Sequence, residues 1–168
     1  MNPASLKVNL KDLKPNATII VNSNAFDAKN LKLAKYDSNP LEDGTLSGYN
    51  VIPVPLTQLT MSVLEDIDIS TKEKERCKNF FALGLMYWMF NRPLEITMKW
   101  LESKFKNKPE ILEANKRALQ AGYNYGDTTE IFTTRYEVKA ANLPKGIYIN
   151  ISGDEATALG FVAASLKS

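Results

Sequence analysis

The 168-residue sequence is long enough for one domain with a proper core and too short for two of full size. Its apolar fraction of 44%, charged fraction of 24% and formal charge of +2 belong to an ordinary globular chain, and they demand neither nucleic acid nor a membrane surface as partner. With no histidine and one cysteine, Cys77, it lacks the ligands for an internal disulfide, a structural zinc or an iron–sulfur centre, and it cannot use imidazole for acid–base work.

Met1-Asn2-Pro3-Ala4-Ser5 does not read as the start of a secretory signal. Leu6, Leu10 and Leu13 then fall on one helical face, so residues 4–13 are expected to form a short amphipathic helix that ends before Pro15. Ala17 to Val21 is a compact β-branched run without polar alternation, the pattern of a strand buried on both faces in a parallel sheet. A short helix is expected over 29–35, a turn-rich loop over Asn39 to Gly48, and an extended segment at Val51-Ile52-Pro53-Val54-Pro55. The two prolines of that segment suit an edge strand or its exit.

The middle of the chain is helical. Residues 72–90 read as one long helix, polar at first and then apolar all round, which predicts burial on every side. Its longest apolar stretch, Phe80 to Phe90, has eleven residues, against the about 20 that a membrane span needs. The expectation is therefore a soluble, cytoplasmic protein. Asn91-Arg92-Pro93 breaks this helix and starts another, with Leu94, Met98, Leu101 and Phe105 on one stripe. A further helix is predicted from Pro109, with Gly122 as its C-cap. Asp127 to Gly146 reads as a linker. After it, Ile147 to Ile151 is expected to form a strand, and Gly153-Asp154-Glu155 to open a helix running to Leu166.

Several segments resemble one family. Asn39-Pro40-Leu41-Glu42-Asp43-Gly44, Gly48-Tyr49 and Val51 to Pro55 resemble the gamma-type domain of 2-oxoacid:ferredoxin oxidoreductase alpha subunits of the 2-oxoglutarate type. Arg76-Cys77-Lys78-Asn79-Phe80-Phe81-Ala82-Leu83-Gly84, Lys108-Pro109-Glu110, Asn115 and Ala121 to Gly126 continue the likeness. Gly153 to Gly160 is similar to the Gly-Asn-Glu-Ala signature that opens the pyrimidine-binding domain of the same subunit, with Asp154 in place of the Asn.

The resemblance implies an incomplete Rossmann-like, doubly wound α/β domain with a helical C-terminal half, followed by the first strand and helix of a second α/β domain. It divides the chain into a gamma-type portion over 1–126, a linker over 127–146 and the start of the pyrimidine-binding domain over 147–168. The Gly-rich opening unit of the family would precede Met1, and its thiamine-contacting Pro-Ile-Thr-Pro turn and glutamate would follow residue 168. The implied enzyme converts a 2-oxoacid and coenzyme A to acyl-CoA and carbon dioxide and reduces ferredoxin. Its thiamine diphosphate, magnesium and iron–sulfur cluster belong to the complete assembly with a beta subunit. This portion is expected to be inactive alone, with no catalytic residue and no metal ligand. The alternative is a stand-alone assembly or coenzyme A-binding module without catalysis.

Ligands of open α/β sheets bind beyond the carboxyl ends of the strands. By that rule Asn22, Ser23 and Asn24 are coenzyme A candidates, joined by Asn2 at the end of a preceding strand; the competing reading is that Asn and Ser make turns there. Asn79 is read as a loop or ligand contact. Arg76 and Lys78 could activate Cys77, although a lone helix thiol is ordinarily a small packing residue. Trp88, Trp100, Met86 and Met89 are expected in the core or at an interface. Glu155 reads as an exposed first-turn acid and Asp154 as an N-cap.

Overall fold

The computed structural model describes residues 1–129, 132, 134–139 and 141–166. It divides into two compact units, 1–138 and 139–168.

The first unit is built on two parallel strands, β1 (Thr18–Asn22) and β2 (Asn50–Val54), with Ile19 opposite Val51 and Asn22 opposite Val54. Alternation along them supplies two separate cores. Ile19, Val21 and Val51 pack on one face with Leu6, Phe26 and Leu46, whereas Ile20, Ile52 and Val54 face the larger cluster around Phe81 and Leu85. Both faces of the sheet are covered, which is why its strands lack polar alternation. On the edge of β1 away from β2, the Met1 ammonium donates to the Ile20 carbonyl at 2.5 Å, and the Asn22 N–H donates to the Met1 carbonyl at 2.9 Å. These are the two bonds of a parallel bridge opposite Val21.

Helix α1 (Pro3–Asn9) starts at once, capped by Asn2, whose Oδ1 accepts from the Ser5 N–H at 2.8 Å, and continues as a 3-10 turn over Leu10–Asp12. Asp27 caps α2 (Ala28–Leu33) in the same way. The sequence did not announce the next helix, α3 (Leu56–Val63). Its N-cap position is Pro55, which makes no side-chain cap, and the missing acceptor comes from Asn24, whose Oδ1 takes the Gln58 N–H at 3.1 Å.

Helices α4 (Thr71–Met89) and α6 (Pro109–Thr128) form the body of the larger core, with α5 (Glu95–Lys104) between them in sequence. Ser70 and Glu73 cap each other's backbone at the start of α4. Its end is a left-handed Asn91, φ 49°, followed by an Arg92 N–H donating to the Tyr87 carbonyl at 2.8 Å.

Gly122 is not a C-cap. It lies inside α6 against α4, where a Cβ would stand 1.9 Å from the Phe81 carbonyl oxygen; Gly84 presents the reciprocal contact, 1.9 Å from the Leu119 oxygen. Glycine is there to let two backbones touch. Complete burial of the apolar part of α4 is also corrected, because Met86 is 36% exposed. Trp100 is likewise outside the core at 46% exposure, with the Lys104 ammonium 4.4 Å from its ring.

Described residues of the segment expected to be a linker, 127–146, pack on α4. Phe132 is buried beside Trp88, with ring centroids 5.6 Å apart. Tyr136 stacks on Phe90 at 5.2 Å, and its N–H donates to the Met89 carbonyl at 2.7 Å. Residues 130, 131, 133 and 140 of that segment lie outside the described residues.

In the second unit the expected strand at 147–151 does not form. Ile147 is 99% exposed and Ile149 72%, and a strand without a neighbour leaves its backbone groups to water. The expected helix does form, as α7 (Gly153–Ser165). Its N-cap is Ser152 instead of Asp154, because the Ser152 hydroxyl accepts from the Glu155 N–H and Glu155 returns to the Ser152 N–H. Glu155 is thus a capping acid, and these bonds hold its carboxyl below the usual range. Residues 167 and 168 are outside the described residues. Among those described, no helix is long and apolar enough to cross a membrane.

Candidate functional site

Beyond the carboxyl end of β1, the first unit has a cleft of about 520 Å³. Met1, Asn2 and Pro3 line it from the start of α1, Asn22 from β1, Leu56 from α3, and Lys78 and Asn79 from α4. The arrangement follows from the parallel strands. Each hands its last residue to the loop leading into the next helix, so α1 and the turn after β1 open on the same side.

Asn22 is the centre of this site. It is 7% exposed, its N–H is held by Met1, and its Nδ2 donates to the Thr57 hydroxyl at 3.0 Å. Its Oδ1 is buried without a hydrogen-bond partner. An orphaned buried carbonyl is costly by about 1–3 kcal/mol, and a ligand N–H or O–H would satisfy it. Lys78 lines the cleft and is half-buried, so its ammonium suits an anionic group such as a phosphate.

The four strand-end residues divide. Asn2 and Asn22 meet in the cleft. Ser23 starts a 3-10 turn and Asn24 spends its side-chain oxygen capping α3, and neither lines the cleft. Lys78 was visible in the sequence only as a neighbour of Cys77. Nothing local marks it as a site residue, since the packing of α4 beside the strand ends brings it there.

Cys77 is not activated by its basic neighbours. It is 2% exposed, its Sγ donates to the Glu73 carbonyl at 3.3 Å, and burial followed by the Glu73 charge pushes its pKa to about 11. Against an ordinary thiol near 8.5, the thiolate fraction at pH 7.5 falls by about two orders of magnitude. Alkylation of the native chain by iodoacetamide should be slower than that of the unfolded chain by at least this factor. Equal rates would show an accessible, activated thiol. Among the described residues no group of three or more His, Cys, Asp or Glu is placed to hold a metal.

The two parallel strands, the mostly helical remainder and the cleft beyond the strand ends define an α/β protein. Residues 1–125 match the family described as pyruvate ferredoxin/flavodoxin oxidoreductase, and the chain belongs to that family. A curated relative, the 2-oxoglutarate oxidoreductase subunit KorA of Mycobacterium tuberculosis, is 51% identical over 164 residues, which are 98% of this chain and 25% of that protein. The chain therefore spans about a quarter of the length of the curated relative it matches. A solved structure, 2-oxoglutarate:ferredoxin oxidoreductase from Magnetococcus marinus with 2-oxoglutarate, coenzyme A and succinyl-CoA bound, superposes with a TM-score of 0.55. It shares 21% identity and covers 81% of this chain and 20% of its own, a likeness of fold.

Proposed function

We propose that this chain is part of the alpha subunit of an enzyme that oxidatively decarboxylates 2-oxoglutarate with coenzyme A, releasing succinyl-CoA and carbon dioxide and reducing ferredoxin. The observation that carries the reading is the 51% identity, over nearly the whole chain, to a 2-oxoglutarate oxidoreductase subunit. Residues 1–126 then correspond to the later part of a doubly wound gamma-type domain. The parallel bridge at Met1 supports a wider sheet, since it occupies the position of a further strand beside β1. Residues 147–168 are the opening of the pyrimidine-binding domain, and the contacts of Phe132 with Trp88 and of Tyr136 with Phe90 support a joining segment that starts after them. The exposed Leu159, Phe161 and Val162 of α7 are consistent with a helix that the rest of such a domain covers.

Coenzyme A is assigned to the strand-end cleft. Asn2 and Asn22 contact it, Ser23 and Asn24 shape the turn and fix α3, and Lys78 faces its phosphates. The buried, unpaired Asn22 Oδ1 supports this assignment, because the amides and hydroxyls of coenzyme A offer donors for it. Thiamine diphosphate supplies the carbanion chemistry when bound. One buried thiol and no histidine do not fit an iron–sulfur cluster. The cluster, the thiamine diphosphate and its magnesium are placed in the assembly with a beta subunit, outside these residues. The assembly is proposed to be cytoplasmic and inactive without its partner.

The test is ferredoxin reduction by the complete subunit carrying this sequence, assembled with its beta partner. Activity that requires coenzyme A and is at least ten-fold faster with 2-oxoglutarate than with pyruvate is expected. A preference for pyruvate would overturn the substrate assignment. Coenzyme A binding with no turnover of any 2-oxoacid would leave only the binding-module reading.

A further inference from the structure

Helix α3 carries two threonines that use their hydroxyls differently. Thr60 is fully buried and turns its hydroxyl back onto the Leu56 carbonyl at 2.7 Å, a bond within its own helix. Thr57 is half-buried and sits in the first turn, where the residue four positions back, Pro53, still belongs to β2. Its hydroxyl oxygen instead receives the Asn22 Nδ2 at 3.0 Å, from a residue 35 positions away in sequence.

That bond decides how the Asn22 amide is presented. An asparagine amide carries an acceptor oxygen and a donor nitrogen on one planar group, so holding the nitrogen fixes the oxygen. With Nδ2 held by Thr57, Oδ1 is left buried and without a partner on a residue that lines the strand-end cleft. Half a turn of the amide would exchange that acceptor for a donor. Thr57 does not itself line the cleft, so its influence there runs through Asn22. Its own place is set by the next residue, because the Gln58 N–H donates to Asn24 Oδ1 at 3.1 Å. These bonds, from Asn22 to Thr57 and from Gln58 to Asn24, clamp the turn after β1 to the start of α3.

We propose that Thr57 is a positioning residue for coenzyme A, holding the Asn22 amide so that its oxygen and not its nitrogen meets the ligand. The inference rests on the assignment of coenzyme A to the strand-end cleft. A group already held in its binding orientation loses less freedom when the ligand arrives. Without the Thr57 hydroxyl, Nδ2 loses its acceptor and nothing fixes which end of the amide a ligand N–H or O–H encounters. Asn24 supports the same arrangement through the backbone of α3.

Steady-state kinetics of the complete enzyme, with the KM for coenzyme A and for 2-oxoglutarate measured separately, tests it. Thr57→Val, close to threonine in shape, should raise the KM for coenzyme A about five-fold, the scale of one oriented hydrogen bond. The kcat and the KM for 2-oxoglutarate should stay within about two-fold of the parent's, the pattern of lost binding. Thr57→Ala, which also lacks the hydroxyl, should match Thr57→Val, whereas Thr57→Ser should behave as the parent. Thr60→Val, in the same helix, should leave the KM for coenzyme A unchanged. In an Asn22→Leu background Thr57→Val should add nothing, because the two act as one unit. If Asn22→Leu raises the KM for coenzyme A and Thr57→Val does not, the positioning role is overturned while the coenzyme A reading stands. A serine variant as impaired as the valine, effects that add to those of Asn22→Leu, or a fall in kcat or melting with the KM unmoved would also overturn it. No effect of Asn22→Leu would overturn the coenzyme A reading and this inference with it.

Discussion

Gly122→Val should destabilise the first unit by about 3 kcal/mol or more, the severe end of overpacking. The added Cβ would meet the Phe81 carbonyl oxygen at 1.9 Å and the Phe81 carbonyl carbon at 2.7 Å. Both are helix backbone, which cannot step aside as the end of a long side chain can. Either α4 and α6 separate, exposing the core between them, or the fold is lost. Urea denaturation followed by circular dichroism measures the change. A loss below about 0.5 kcal/mol, the ordinary range for surface substitutions, would mean that the two helices do not approach as described. Gly84→Val should behave in the same way, because its Cβ would meet the Leu119 carbonyl oxygen at 1.9 Å.

Phe81→Ala should cost about 3–5 kcal/mol through lost transfer energy and the cavity left behind. Phe81 is 1% exposed and packs against Tyr125 with ring centroids 5.9 Å apart. Its neighbours are held on helices whose backbones already touch, so the site has little freedom to collapse and the cost should lie in the upper half of that range. The same denaturation measurement decides it, and a cost under about 1.5 kcal/mol would place Phe81 outside the load of the core. The substitution should not rescue Gly122→Val, because the clash there is with the Phe81 backbone and not with its ring.

These two positions also show where local sequence is ambiguous. A glycine near the end of a helical pattern signals a C-cap and a close helix contact equally well, and only the position of α4 decides that Gly122 is the second. Strand β1 was legible because its β-branched run carries its own signal. Helix α3 was not, since it follows a proline, carries Thr57, Thr60 and Ser62, and takes its cap from Asn24 in a distant segment. The run Ile147 to Ile151 has strand composition and no strand to pair with, so composition and structure part company there. In the strand-end cleft, Asn2 and Asn22 follow from a topological rule applied to short sequence segments. Lys78 required the packing of α4, which no local motif contains.

The coenzyme A assignment is the central claim about this chain, and its most direct measurement is the KM for coenzyme A in the complete enzyme carrying Asn22→Leu. Losing one hydrogen bond to the buried Oδ1 corresponds to about ten-fold in affinity. The account predicts a KM for coenzyme A raised about ten-fold, with the KM for 2-oxoglutarate unchanged and the thermal melt of the variant close to that of the parent. An unchanged KM for coenzyme A, or a rise confined to 2-oxoglutarate, would contradict it.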